Sequence, residues 1–116
     1  MRHRVKGKTL GRTKAPREAM LNNLAASIVI YEKVKTTEAK AKTVKSMVEV
    51  MITKAKKGDL AARRQLIATL RQPLAVKKLM EVLGDRYKTR PGGYTRIVRL
   101  GARMGDGAEM VQIELV

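Results

Sequence analysis

The sequence contains no cysteine, tryptophan or phenylalanine, and only one histidine. Without cysteine there is no disulfide framework, no thiolate metal site and no thiol nucleophile. The lone histidine, His3, has no carboxylate beside it in the sequence, so it reads as a nucleic-acid contact or an inert residue and not as a catalyst. Three tyrosines supply all of the 3% aromatic content, too few for a sheet that stacks several bases. Acid is scarce, with 10 Asp+Glu against 26 Lys+Arg and a formal charge of +16. No pair of acids stands out as an acid/base or metal site, so neither catalysis, nor a metal, nor another cofactor is expected. Long apolar runs are missing too. The longest, Leu24 to Tyr31, falls far short of the roughly 20 residues that span a bilayer. No apolar stretch follows the charged start, so a secretory signal is not expected and the reading is a cytoplasmic protein without a membrane partner.

What is present is enough for one globular domain: 116 residues, 44% of them apolar. Residues 1–15 carry bases and glycines without helical or strand period, and are expected to form an extended basic arm ahead of a single domain over 16–116. Pro16 suits a helix start, and Met20, Leu21, Leu24, Ala25 and Ile28 recur at three- and four-residue steps, predicting a helix over about 16–30. Glu32 to Thr36 alternates in polarity and reads as a short strand. Thr37 is placed to cap a second helix, along which Ala41, Val44, Val48, Met51 and Ala55 form one apolar stripe before Gly58 ends it. Asp59 is placed to cap a third helix carrying Leu60, Leu66, Ile67 and Leu70. Pro73 opens a fourth with Val76, Leu79, Met80 and Leu83 inward and Gly84 at its C-terminus. Tyr94–Leu100 and Met110–Val116 are β-compatible, bridged by the turn signal Gly105-Asp106-Gly107. In the last run Val111, Ile113 and Leu115 alternate with Gln112 and Glu114, one face buried and one wet. The expectation is an α+β, two-layer α/β sandwich in the order α-β-α-α-α-β-β.

The basic excess is concentrated. Arg2, Arg4, Lys6, Lys8, Arg12, Lys14 and Arg17 fall in a segment without acid, and Arg86, Lys88, Arg90, Arg96, Arg99 and Arg103 fall in another. Single-sign runs repel themselves unless a polyanion neutralises them. With aromatics this scarce, the contacts expected are Arg and Lys on phosphates, which suits folded RNA, whose backbones crowd around an arm from several sides. Gly92 and Gly93 permit a tight turn that offers N–H groups to a phosphate, with Tyr94 stacking or hydrogen-bonding. Equally, they permit a plain turn into the strand with Tyr94 in the core. Two other classes are possible. A DNA-architectural protein would want a dimer seam and apolar wedges, and an anionic-membrane binder would want a basic amphipathic helix with large apolar anchors. Neither pattern is evident here.

Several blocks, taken together and in order, resemble one family. These are Met1-Arg-His-Arg4 with Gly7, Leu10, Arg12 and Arg17; Val34-Lys-Thr-Thr37 with Lys40-Ala-Lys42; Ile52-Thr-Lys-Ala-Lys56; Arg90 to Ile97 with its Gly-Gly-Tyr-Thr-Arg centre; and Gly105-Asp-Gly-Ala108 with Ile113-Glu-Leu-Val116. The chain resembles the bacterial large-subunit ribosomal protein seventeen family from end to end. The resemblance implies a non-enzymatic two-layer protein that binds ribosomal RNA near the tunnel exit, beside other ribosomal proteins and without a small-molecule substrate. It adds Thr37, Lys40 and Lys42 to the candidate RNA-binding residues, alongside the bases above, His3, Gly92, Gly93 and Tyr94.

Overall fold

In a computed structural model the residues described are 14–116. Helix α1 (Lys14–Tyr31) buries Leu21, Ala25, Ala26, Ile28 and Val29, and holds Pro16 in its first turn, where a missing N–H costs nothing. It ends in a left-handed residue that is not glycine. Glu32 has φ 65, and its N–H donates to the Ile28 carbonyl at 2.8 Å. That turn shifts the first strand by one residue from its expected place, to β1 (Lys33–Thr37).

Helix α2 (Glu38–Lys57) follows the sequence reading closely. The Thr37 side chain accepts the Lys40 N–H, and Gly58 closes the helix at φ 68. The whole stripe of Ala41, Val44, Val48, Met51 and Ala55 is buried, with Ile52 beside it. In α3 (Leu60–Leu70) the Asp59 carboxylate accepts the Ala62 N–H at 2.7 Å, and Leu66 and Leu70 turn inward. Leu60 and Ile67, the other apolar residues of this helix, are exposed at 61% and 50%. The helix is only 11 residues long, and its buried side is the line through Ala62, Leu66 and Leu70, which leaves Leu60 and Ile67 off that face.

The fourth helical segment departs most from expectation. Helix α4 (Pro73–Lys78) continues without a break through a π-helical stretch (Leu79–Leu83) into the short α5 (Gly84–Arg86). Gly84 is therefore not a helix terminator. It is helical at φ −55, ψ −44, and buried. A side chain there would meet the backbone, because a Cβ would lie 2.9 Å from the Ala55 carbonyl oxygen of α2. The glycine is present so that two helices can approach, not to end one.

Strands β2 (Thr95–Ala102) and β3 (Glu109–Leu115) complete an antiparallel sheet in the order β1-β3-β2. Val34, Ile113 and Ile97 stand in register across it. A slip between Arg99 and Gly101 marks a bulge in β2. The Gly105-Asp106-Gly107 turn joins β2 to β3 as expected, closed by Arg103 N–H to the Ala108 carbonyl at 2.7 Å. Val111, Ile113 and Leu115 join the helices in one core, so the helices cover one face of the sheet. Glu114 was expected on the wet face and is 7% exposed. It sits on the central strand between Lys33 and Arg96, and the Arg96 side chain pairs with it at 3.0 Å.

Candidate nucleic-acid interface

Arg2, His3, Arg4, Lys6, Lys8 and Arg12 lie outside the described residues. Lys14 and Arg17 sit at the start of α1, the first exposed and the second partly so. At the other end of the candidate surface Thr37, Lys40 and Lys42 come together at the head of α2. The Thr37 hydroxyl is occupied as the helix cap. Lys42 pairs with Glu38 at 2.8 Å, and Arg99 reaches the same carboxylate from β2 at 3.7 Å.

The run from residue 86 to 103 has no acid in its sequence, but in space it is far from unpaired. Arg86 makes a two-pronged contact with Glu32, which also takes Lys78 at 2.8 Å. Arg96 pairs with Glu114 at 3.0 Å, Arg99 with Glu38, and Arg103 with Asp106. The expectation of an unneutralised single-sign run is corrected here, because Glu32, Glu38 and Glu114 from distant parts of the sequence and Asp106 from the adjacent turn bring acids to four of the six bases. Lys88 and Arg90 are the exceptions. Both are exposed, and among the described residues no carboxylate pairs with either.

The segment from Arg90 to Thr95 is held at both ends by α2. The Lys56 ammonium donates to the Arg90 carbonyl at 2.6 Å and to the Tyr94 hydroxyl at 2.9 Å, and that hydroxyl reaches the same carbonyl at 3.2 Å. On the far side Glu49 accepts the Gly93 N–H at 3.2 Å, the Thr95 N–H at 3.0 Å and the Thr95 hydroxyl at 2.8 Å. Between these anchors Arg90 Nε donates to the Gly92 and Gly93 carbonyls, both at 3.2 Å. Its terminal guanidinium nitrogens make no hydrogen bond among the described residues. Gly92 at φ 148 and Gly93 at φ 65 take conformations that other residues resist, which is why the pair stands here.

Two of the sequence candidates change meaning. Tyr94 is only 2% exposed and packs on Tyr87 with ring centroids 5.2 Å apart, so in this structure its ring has no face to offer a base. The Gly93 N–H is already given to Glu49 rather than held open for a phosphate. Conversely Glu49, which sets one side of the loop, drew no attention in the sequence, and Lys56 entered only as the end of a block that carries the family resemblance, not as a loop anchor. The signal was there: an acid seven residues before a lysine on one helix puts both on one side, two turns apart.

The electrostatics sort the charges further. The Arg86 guanidinium, then Lys78, hold the Glu32 carboxyl down at about 2, and Glu32 in turn raises Arg86 above its ordinary value. Arg103 holds Asp106 below the usual carboxylate range, and Asp106 raises Arg103. The Lys56 ammonium lowers the Tyr94 hydroxyl despite its burial.

The folded core displays cations from helix ends and from one braced loop. Among the described residues no three His, Cys, Asp or Glu gather as a metal site, and no helix is long and apolar enough to cross a membrane. The family model for ribosomal protein L17 matches residues 20–116. The whole chain aligns with the large ribosomal subunit protein bL17 of Rickettsia canadensis (strain McKiel) at 49% identity, covering 85% of that protein. It aligns with its namesake in Rickettsia bellii (strain OSU 85-389) at 51%, covering 82%, and in Solibacter usitatus (strain Ellin6076) at 54%, covering 77%. The chain belongs to the ribosomal protein L17 family. It is a structural rather than catalytic protein of the large subunit, acting in translation on the cytoplasmic ribosome.

Proposed function

We propose that this chain braces large-subunit ribosomal RNA by neutralising phosphates drawn from separate RNA segments. The observation that carries the reading is the pair Lys88 and Arg90, exposed and without an acid partner among the described residues, on a loop whose backbone is already tied down. Strand β2 runs back along α2 from that loop toward Arg99, so the anchors at Glu49 and Glu38 lie about 16 Å apart along the helix axis. That distance suits contact with more than one backbone. Arg96, Arg99 and Arg103 supply a weaker, partly neutralised rim, and Lys14 and Arg17, with the preceding arm, supply a second patch. Counterion release drives the association, and the folded core fixes the register. The family resemblance adds a location near the tunnel exit, beside other ribosomal proteins.

Competition binding tests this reading. At about 150 mM salt a folded fragment of large-subunit RNA should outcompete duplex DNA at least roughly tenfold, an advantage of about 1.4 kcal/mol. Replacing Lys88 and Arg90 together by Gln should remove most of that advantage. Equal affinity for the two nucleic acids, with the DNA bent on binding, would overturn the reading that these bases are arranged for the phosphates of folded RNA.

A further inference from the structure

The acid nearest the proposed phosphate contacts is placed where simple electrostatics would not want it. Glu49 reaches from α2 into the loop that carries Arg90, and there it accepts three hydrogen bonds from Gly93 and Thr95. A negative charge at that point repels a phosphate, so its presence calls for a compensating role. The loop supplies one. With Gly92 and Gly93 adjacent, the backbone between Arg90 and Thr95 has wide conformational freedom. A loop that is free before binding must be ordered during it, and that ordering weakens the complex.

We infer that Glu49 and Lys56 are positioning residues that pre-form the Arg90–Thr95 loop for its polyanion. Lys56 fixes the entry to the loop through the Arg90 carbonyl, directly and through Tyr94. Glu49 fixes the exit through both the backbone and the side chain of Thr95. The two side chains project from the same side of one rigid helix, about two turns apart, so the span between entry and exit is set by α2 and not by the loop. Arg90 spends its Nε on the Gly92 and Gly93 carbonyls, which leaves its terminal nitrogens without a hydrogen bond among the described residues. Tyr94, whose ring is buried, acts through the same clamp rather than by stacking. The inference rests on the RNA-binding reading above and names the device that orients its principal cation.

The sign of one substitution separates this role from charge alone. Glu49→Gln removes a negative charge beside the loop, so Coulomb interaction by itself predicts tighter RNA binding. The clamp predicts weaker binding, by about tenfold for a folded large-subunit RNA fragment at about 150 mM salt, with the salt slope of the parent protein kept because no phosphate contact is lost. Thr95→Val serves as the companion variant. It keeps shape and strand preference, changes no charge, and removes one of the three bonds, so a loss of a few-fold is expected. Hydrogen exchange at the Gly93 and Thr95 amides, followed in the full-length protein without RNA, should quicken in both variants while the α2 amides stay protected. Binding by Glu49→Gln that equals or exceeds the parent's, with α2 still protected, overturns the clamp. So does weaker binding without faster exchange at Gly93 and Thr95. Arg90→Gln separates the two failures. If it weakens RNA binding while Glu49→Gln does not, only the clamp is wrong. If neither variant changes RNA binding, the RNA-binding role of this loop is wrong and the clamp falls with it.

Discussion

Arg86 and Arg90 stand four residues apart on one basic segment, and the structure puts them to opposite uses. Arg86 grips Glu32, which also holds Lys78, while Lys78 bonds the Ile30 carbonyl at 2.9 Å. Because the Glu32 carbonyl also accepts the Leu115 N–H, this knot joins the end of α1, the last helical turns and the central strand. Arg90 uses one nitrogen to brace its own loop and, among the described residues, leaves the others open. The difference shows that positive charge at a surface is not yet a binding site. A guanidinium already satisfied by carboxylate oxygens gives up that pairing before it can take a phosphate, so the pairing decides which bases are available.

The locked end depends on close packing, and the largest expected effect follows from breaking that. Gly84 lets the helical segment carrying Arg86 lie against the Ala55 carbonyl of α2, with 2.9 Å where a Cβ would go. Carbonyl backbone cannot rotate away as a side chain could. Gly84→Val should cost about 3 kcal/mol by forcing the helices apart. Gly84→Ala tests the cause through its sign. Helix propensity alone would make it stabilising by about 1 kcal/mol, whereas the contact makes it destabilising. Chemical denaturation checks both, and a stabilised Gly84→Ala protein would show that the close approach is not needed.

Gly84 also illustrates what a one-dimensional pattern can and cannot carry. A glycine followed by a polar, turn-rich stretch has the outward form of a helix terminator, and only the neighbouring helix reveals its use. The apolar stripe of α2 was legible because each of its residues needs the same thing, a place facing the core, and periodicity alone encodes that. The caps at Thr37, Gly58 and Asp59 were legible for a similar reason, since each acts on backbone within a few residues. The contacts between distant segments were not. Glu32 meets Arg86 across 54 residues of sequence, and Glu49 meets Thr95 across 46. Nothing local marks such partners, so a run without acids looked free of acids. Lys88 and Arg90 kept the character the sequence suggested, whereas Tyr94 took the inward of its two open readings.

The next effect in size concerns the knot itself and has a definite pH signature. The Glu32 carboxyl is held at about 2, against an ordinary value of 4.5, by Arg86 first and Lys78 second. A lowered carboxylate stabilises the folded state fully above its unfolded value and loses that contribution as pH falls through the folded one. Glu32 is about one-third exposed, with a side-chain value of 34%, so screening reduces the contribution to about 1 kcal/mol. Glu32→Gln should therefore be less stable than the parent by about that amount at pH 7, with the gap narrowing from about pH 4.5 and closing near pH 2. Parallel stability curves from pH 7 to pH 2.5 would mean the knot contributes nothing through its charge.

The smallest expected effect is the counterpart at the open end. Arg90 is exposed, pairs with no carboxylate among the described residues, and gives its loop only two long Nε contacts of 3.2 Å. Arg90→Gln should thus change the free energy of unfolding by less than about 0.5 kcal/mol, as surface substitutions away from special features do. Arg86→Gln should cost more, because it leaves Glu32 with Lys78 alone. For RNA affinity the ranking reverses. Arg90→Gln should weaken binding and lower the magnitude of the salt slope by about 0.7–0.9, the loss of one phosphate contact. Arg86→Gln should leave that slope where it was, since its guanidinium is already committed inside the protein. Measuring unfolding and salt-dependent binding on the same two variants tests the contrast from both sides. If Arg86→Gln lowers the slope as much as Arg90→Gln does, then Arg86 leaves Glu32 for a phosphate on binding, and the ion pair is a resting contact rather than a fixed one.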